Sequence, residues 1–191
     1  MIGRRKALIL QVAGSSERQV SFLLETERLL IRPFRPEDAE QLHTIFGDPE
    51  VMGRIPSGPS PSLEATRQRL ARMMEHQDKN GLSLWALIEK ISGLVIGDCG
   101  LIPVEGRGPE IELSYDIARA FWGKGYATEA ARECLRFGFE NLKLDRIVGL
   151  TYSDHLASRR VLEKTGMTYD GIVHRYNSDL VQYSSLASRA D

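Results

Sequence analysis

The sequence predicts an α/β chain of the α+β type: a mixed, mostly antiparallel central sheet flanked by helices, with a βαβ unit late in the chain. Three observations carry that expectation. Two hydrophobic runs, Leu82–Glu89 and Leu94–Pro103, flank the turn-like Lys90-Ile-Ser-Gly93 and read as an antiparallel hairpin. The segment Glu110–Ile117 alternates, with Ile111, Leu113, Tyr115 and Ile117 facing one way and Glu110, Glu112, Ser114 and Asp116 the other. A helix from about Thr128 to Asn141 then leads to a strand at Arg146–Tyr152, and such a crossover makes the two strands parallel neighbours.

The remaining elements follow in chain order. Residues 1–21 form an N-terminal extension carrying Arg4, Arg5, Lys6 and Arg18 against Glu17, ahead of a first convincing strand at Leu29–Phe34. Pro36 opens a helix, Glu37 and Asp38 suit its first turn, and Ala39, Leu42, Ile45 and Phe46 give it an apolar face before Gly47. Ile55–Ser62 is a Pro/Gly/Ser loop, followed by a helix from about Leu63 to Gln77 with Leu63, Leu70, Met73 and Met74 on its buried side. Gly106-Arg-Gly108 turns the chain into the alternating strand. A last helix spans about His155 to Thr165 and stops at Gly166. Strands near Thr168–Val173 and Leu180–Leu186 close the sheet.

Composition narrows the function. The 191 residues carry 25 Lys+Arg against 26 Asp+Glu, a net charge of −1, which argues against nucleic-acid binding through a broadly basic surface. No apolar run approaches the ~20 residues of a membrane span. Cys99 and Cys134 make neither a disulfide framework nor a zinc site, and the four histidines lack metal-ligand spacing, so no metal is expected. The apolar run Ala7–Leu10 is short for a signal peptide, which favours a cytoplasmic protein with one domain over residues 22–191.

The chemistry concentrates in Phe121-Trp-Gly-Lys-Gly-Tyr-Ala-Thr-Glu129, between the alternating strand and the helix after it. Gly123 and Gly125 let the backbone approach a ligand closely. The amides that follow have no intrahelical partner and sit at the positive end of the helix dipole, which suits a phosphate. The spacing excludes a Walker loop, because Ala118 stands at its first glycine and Gly125 follows Lys124. A dinucleotide fingerprint would need glycine at Thr128. An ordinary glycine-rich turn is the reading against which phosphate binding is weighed.

Four segments in order add to this. Glu25-Thr-Glu-Arg-Leu-Leu-Ile-Arg32 with Pro36-Glu-Asp38, Asp48-Pro-Glu-Val-Met52, Trp122-Gly-Lys-Gly-Tyr-Ala-Thr-Glu-Ala130 and Ala157-Ser-Arg-Arg-Val-Leu-Glu-Lys-Thr-Gly166 are together similar to the GNAT acyltransferase superfamily. They most resemble its ribosomal-protein N-acetyltransferase (RimJ/RimL-like) branch, over about Leu24 to Leu186. The resemblance implies the GNAT fold with splayed parallel strands, acetyl-CoA as cosubstrate and a primary amine, on a protein N-terminus or a small molecule, as acceptor. It places pyrophosphate on the backbone of Gly123, Lys124, Gly125, Tyr126, Ala127 and Thr128, and pantetheine along Leu113, Tyr115 and Ile117. Trp122, His155 and Ser158 complete the expected cofactor contacts. It implies a monomer or homodimer with no nucleic-acid or membrane partner.

Amide formation from a thioester needs a neutral amine, and a carboxylate can remove its proton. Glu112 aligns with an acidic position often seen on this strand and is the candidate base, weighed against a solvated or salt-bridged strand glutamate; Glu110 is the runner-up. Two positions depart from the family's pattern. His155 stands where many members have Asn, and Leu162 where many have the Tyr that protonates the leaving thiolate. Ser158 is then the candidate hydrogen-bond donor to sulfur. His174 and Tyr176 are candidates for the acceptor cleft. The rival reading from Leu162 and His155 is a non-catalytic acyl-CoA-binding module; a nucleotide-binding regulator survives only if the loop binds phosphate without pantetheine.

Overall fold

Residues 8–11 and 20–188 are described by the computed structural model, and they build one sheet with helices on both faces. The strands are β1 (Leu8–Gln11), β2 (Val20–Glu25), β3 (Leu29–Arg32), β4 (Leu84–Glu89), β5 (Val95–Pro103), β6 (Ile111–Ile117), β7 (Arg146–Thr151), β8 (Thr168–Arg175) and β9 (Ser178–Leu186). Their spatial order is β1-β2-β3-β4-β5-β6-β7-β9-β8. All pairings are antiparallel except β6 with β7. The helices are α1 (Ala39–Phe46), α2 (Pro49–Met52), α3 (Leu63–Asn80), α4 (Tyr126–Glu140) and α5 (Leu156–Lys164). The fold class expected from sequence is the one observed.

Local chemistry sets most boundaries. Asp38 takes a bidentate bond from Arg32, 2.7 Å at each oxygen, and accepts the Arg35 amide at 2.8 Å, so the chain turns into α1. Asp48 caps α2 through the Glu50 amide at 2.9 Å, with Pro49 at the first position. Ser62 caps α3 through the Ala65 amide at 3.2 Å, and Gly81 ends it at φ 68°.

Four details differ from the sequence expectation. The strand Val20–Glu25 pairs with β1 and β3 and buries Phe22 and Leu24, and the 21/22 boundary of the expected extension falls inside it. The single-turn α2 was not foreseen as a helix. Helix α3 runs to Asn80, and α4 begins at Tyr126 rather than Thr128, directly behind Gly125.

Two cores flank the sheet. On one face Phe22, Trp85 and Phe137 pack ring to ring at 4.9–5.5 Å, with Leu113, Ile117, Ala130 and Cys134 beside them under α4. On the other, Leu42, Ile45, Phe46 and Leu70 of α1 and α3 cover Ala86 and Ile88. Between β6 and β7 the parallel register holds only at Glu112↔Val148, whereas β7 and β9 pair over six residues. Beyond Glu112 the two strands have no further paired residues, which is the splay the resemblance leads one to expect. No helix among the described residues is long and apolar enough to cross a membrane.

Candidate active site

The glycine loop leaves the end of β6 and enters α4 through two left-handed residues, Gly123 at φ 73° and Gly125 at φ 82°. A side chain at either position would be strained. The Trp122 indole does not reach into a cleft: its N–H donates to the Ile117 carbonyl at 2.6 Å, tying the loop back to its strand, and the ring is about half exposed. The first hydrogen bond of α4 runs from the Glu129 amide to the Gly125 carbonyl at 3.1 Å. The amides of Tyr126, Ala127 and Thr128 therefore precede the helical ladder, with no side chain capping them. Gly123, Lys124 and Gly125 are exposed, so this end of α4 is open to an anion.

The turn between β2 and β3, distant in sequence, anchors the loop. Arg28 reaches Glu129 with its Nε at 2.7 Å, donates from Nη1 to the Lys124 carbonyl at 2.9 Å, and lies 4.3 Å over the Tyr126 ring. Thr26 donates to Glu129 at 2.6 Å, and the Arg28 amide donates to the same carboxylate at 2.9 Å. Burial pushes Glu129 up, but these bonds outweigh it and hold the carboxyl below its ordinary range. The Tyr126 side chain is buried and donates to Glu89, so only its backbone faces the loop. The Lys124 ammonium sits 5.0 Å over Phe121. Glu129 lies inside the loop motif, but nothing in the sequence pairs it with Arg28, 101 residues away.

At the splay, Leu113, Tyr115 and Ile117 face the α4 side, as alternation requires. Tyr115 crosses to α5, its hydroxyl 3.0 Å from Ser158 Oγ and 3.1 Å from the Ser158 carbonyl. Burial pushes this phenol above its usual pKa, so it stays a hydrogen-bond donor. Leu162 is buried against Gly149, where a Cβ would stand 2.5 Å from its Cδ2; it is a core residue. His155 stands at the N-cap position of α5 without a side-chain capping bond, half-buried, and burial followed by Arg54 lowers its pKa. Arg54 itself pairs with Asp154 at 2.7 Å.

The other face of β6 is not solvated. Glu112 and Asp116 are each 7% exposed, because the α1–α3 layer and the β8–β9 hairpin cover this side. Asp98, opposite Asp116, is fully buried with neither oxygen hydrogen-bonded, and burial plus Asp116 push its pKa well above the usual carboxylate range. Glu112 is neither solvated nor salt-bridged: Tyr176 donates to its Oε2 at 2.7 Å. Burial pushes Glu112 up to about 7, against the opposing pull of that hydrogen bond. A carboxylate with that pKa can accept a proton near neutral pH. Glu110, the runner-up, is tied up by Arg146 at 2.7 Å and Arg175 at 3.2 Å. His174 is exposed and pairs with Asp179 at 2.8 Å. Among the described residues no group of His, Cys, Asp and Glu is arranged to hold a metal ion.

An open helix N-terminus behind a glycine loop, a splayed strand pair and a buried carboxylate thus lie along one strand. The family model described as the acetyltransferase (GNAT) domain matches residues 28–168. The uncharacterized protein YkkB of Bacillus subtilis strain 168 is 33% identical over 162 residues, covering 84% of this chain and 93% of that one. The FsC-acetyl coenzyme A-N(2)-transacetylase of Aspergillus fumigatus is 32% identical over 154 residues, covering 76% of this chain and 65% of the relative. A crystal structure of a GNAT-family acetyltransferase from Bacillus anthracis matches with a TM-score of 0.76 and 29% identity, over 87% of this chain and 99% of that one.

Proposed function

This chain belongs to the GNAT acetyltransferase family and is an acyltransferase; from that premise we propose that it moves the acetyl group of acetyl-CoA to a primary amine, with Glu112 as the base. The observation that carries the base assignment is the buried Glu112 carboxyl, raised to about 7, at the point where β6 and β7 part. In the proposed step the amine nitrogen attacks the thioester carbon. The C–N bond forms, the C–S bond breaks, the amine proton goes to Glu112, and the thiolate leaves. An α-amine, with an ordinary pKa near 7.7–8.0, needs less help from such a base than a lysine near 10.4.

The loop amides from Gly123 to Thr128 hold the pyrophosphate, a role supported by their lack of a capping side chain and by the exposure of Gly123–Gly125. Lys124 adds charge beside it. Leu113, Tyr115 and Ile117 line the pantetheine path along the splay. Ser158 donates its one hydroxyl hydrogen to the thioester sulfur in the arrangement where the Tyr115 hydroxyl donates to Ser158 Oγ, 3.0 Å away, in place of the Ser158 carbonyl at 3.1 Å. Trp122 and His155 flank the path, the first stapled to β6 and the second at the start of α5. The acetyltransferase domain is taken to begin with β2 (Val20–Glu25) and not at residue 22, since a 21/22 boundary would cut that strand. The acceptor is a protein N-terminus, as in the ribosomal-protein branch that the four sequence segments resemble, or a small-molecule amine. The named N2 transfer of the Aspergillus relative supports nitrogen as the acceptor atom.

A screen of acetyl-CoA against a panel of free-N-terminus peptides and small amines, reading thiol release and acetylated product by mass spectrometry, tests this. Glu112→Gln should lower kcat about 10²–10⁴-fold on the acceptor found, with CoA affinity nearly unchanged. The loss should shrink as pH rises, because more acceptor is neutral unaided. Full activity in Glu112→Gln sinks the base assignment.

A further inference from the structure

We propose that Tyr176, clasped by Glu105, is a positioning residue that occupies one oxygen of the Glu112 carboxylate and leaves the other to the acceptor amine. The inference rests on Glu112 as base and adds a residue that neither its motif nor its strand supplies.

Three segments meet at this point. The Tyr176 hydroxyl accepts from the Glu105 amide at 2.9 Å and donates to Glu112 Oε2 at 2.7 Å. The Tyr176 amide in turn donates to Glu105 Oε1 at 2.9 Å. An amide can only donate, so the phenol accepts from Glu105; an ionised Glu112 can only accept, so toward the carboxylate the phenol donates its hydrogen. The bond directions in the clasp are thus determined for the ionised form of Glu112. Among the described residues, no hydrogen bond reaches Glu112 Oε1.

The backbone is strained to make this contact. Four non-glycine residues among those described have positive φ, and three of them form the clasp: Glu105 at 54°, Tyr176 at 51° and Asn177 at 57°. A two-residue hairpin turn wants positive φ at both positions, which Asn and Gly accept readily and a tyrosine does not. The turn accounts for the positive φ at 176–177 but not for a tyrosine at its first position; what the tyrosine adds there is the hydroxyl delivered to Glu112, and strain of this kind collects where function over-determines the backbone.

The charges around Glu112 are accounted for. Tyr176 meets it from the clasp, Glu105 contacts Tyr176 and not Glu112, and Tyr115 lies on the opposite face of the same strand. The neighbours in register on β5 and β7 are Ile102 and Val148. The nearby strand acid Glu110 takes up Arg146 and Arg175. Tyr176 is thus the group that favours the ionised form of Glu112 against burial.

The test is Tyr176→Phe, which keeps the ring and the turn and removes one hydroxyl. The Glu112 carboxyl is titrated by carbon-13 NMR of glutamate-labelled protein, assigned with Glu112→Gln, and compared with the pH dependence of kcat/KM. In Tyr176→Phe both the NMR midpoint and the acidic limb should move up together by about one pH unit, roughly a fivefold loss at pH 7 that approaches tenfold well below it. The loss should recover at high pH, and CoA affinity should not change. Glu105→Ala should shift both in the same direction by less, since its backbone amide remains. A folded Tyr176→Phe with a wild-type midpoint and limb overturns the inference, as does a variant that only melts earlier. If Glu112→Gln is fully active, the base reading falls and this inference with it; if Glu112→Gln is inactive while Tyr176→Phe keeps the wild-type profile, only the role of Tyr176 falls.

Discussion

Glu112 carries opposite demands at the scale of one side chain. Burial makes it a base of suitable strength, and the same burial destabilises the folded chain. Its pKa is about 7 in the fold against an ordinary 4.5. Below pH 4.5 the group is neutral in both states and burial is tolerated. Between 4.5 and 7 the folded protein holds a proton that the unfolded chain has released, so stability falls as pH rises. Above 7 the penalty is complete, on the order of 3 kcal/mol. Glu112→Gln removes the charge, so urea denaturation should find the variant more stable than wild type at pH 8 by about that amount and nearly equal at pH 4. An equal gain at both pH values would mean that packing, not ionisation, separates the two proteins.

At the scale of elements, the loop and α4 form one unit whose function depends on a tether from β2–β3. Gly125→Val would place a β-branched residue at φ 82° where the backbone approaches phosphate. Its CoA affinity should fall at least tenfold, about 1.4 kcal/mol, with the circular dichroism spectrum intact. Arg28→Ala should also weaken CoA, by a smaller factor, because Lys124 and Glu129 lose their common partner. Calorimetry on both variants checks this; unchanged affinity in a folded Gly125→Val sinks the phosphate cradle. The glycine loop was legible because it is local: strand, glycine pair and helix start within a dozen residues. The Arg28 tether was not, since no spacing rule relates positions 101 apart.

For the molecule as a whole, the proposed CoA site bridges the loop, the splay and α5, so binding there should stabilise all three together. At a hundredfold excess over Kd the gain is about 2.7 kcal/mol, or roughly 5–10 °C in Tm for a chain of this size. Dephospho-CoA should act similarly. Pantetheine, lacking the pyrophosphate, should shift Tm far less; an equal shift from pantetheine removes the loop from the binding site.

What the sequence determined by itself is what depends on near neighbours. Alternation in β6 placed Leu113, Tyr115 and Ile117 on one face and Glu112 on the other. The glycine pair marked the start of α4, and four ordered segments pointed to the family. What only the tertiary structure decided is the state of those residues. Glu112 reads as a surface glutamate in an alternating strand, yet it is buried, because in a layered fold the second face of a central strand is covered by α1–α3 and by a hairpin from the chain's far end. Its pKa, its partner Tyr176 and the engagement of Ser158 by Tyr115 all come from contacts 43 to 64 residues apart. Desolvation and hydrogen bonding are properties of the space around a group, and chain order alone does not specify that space.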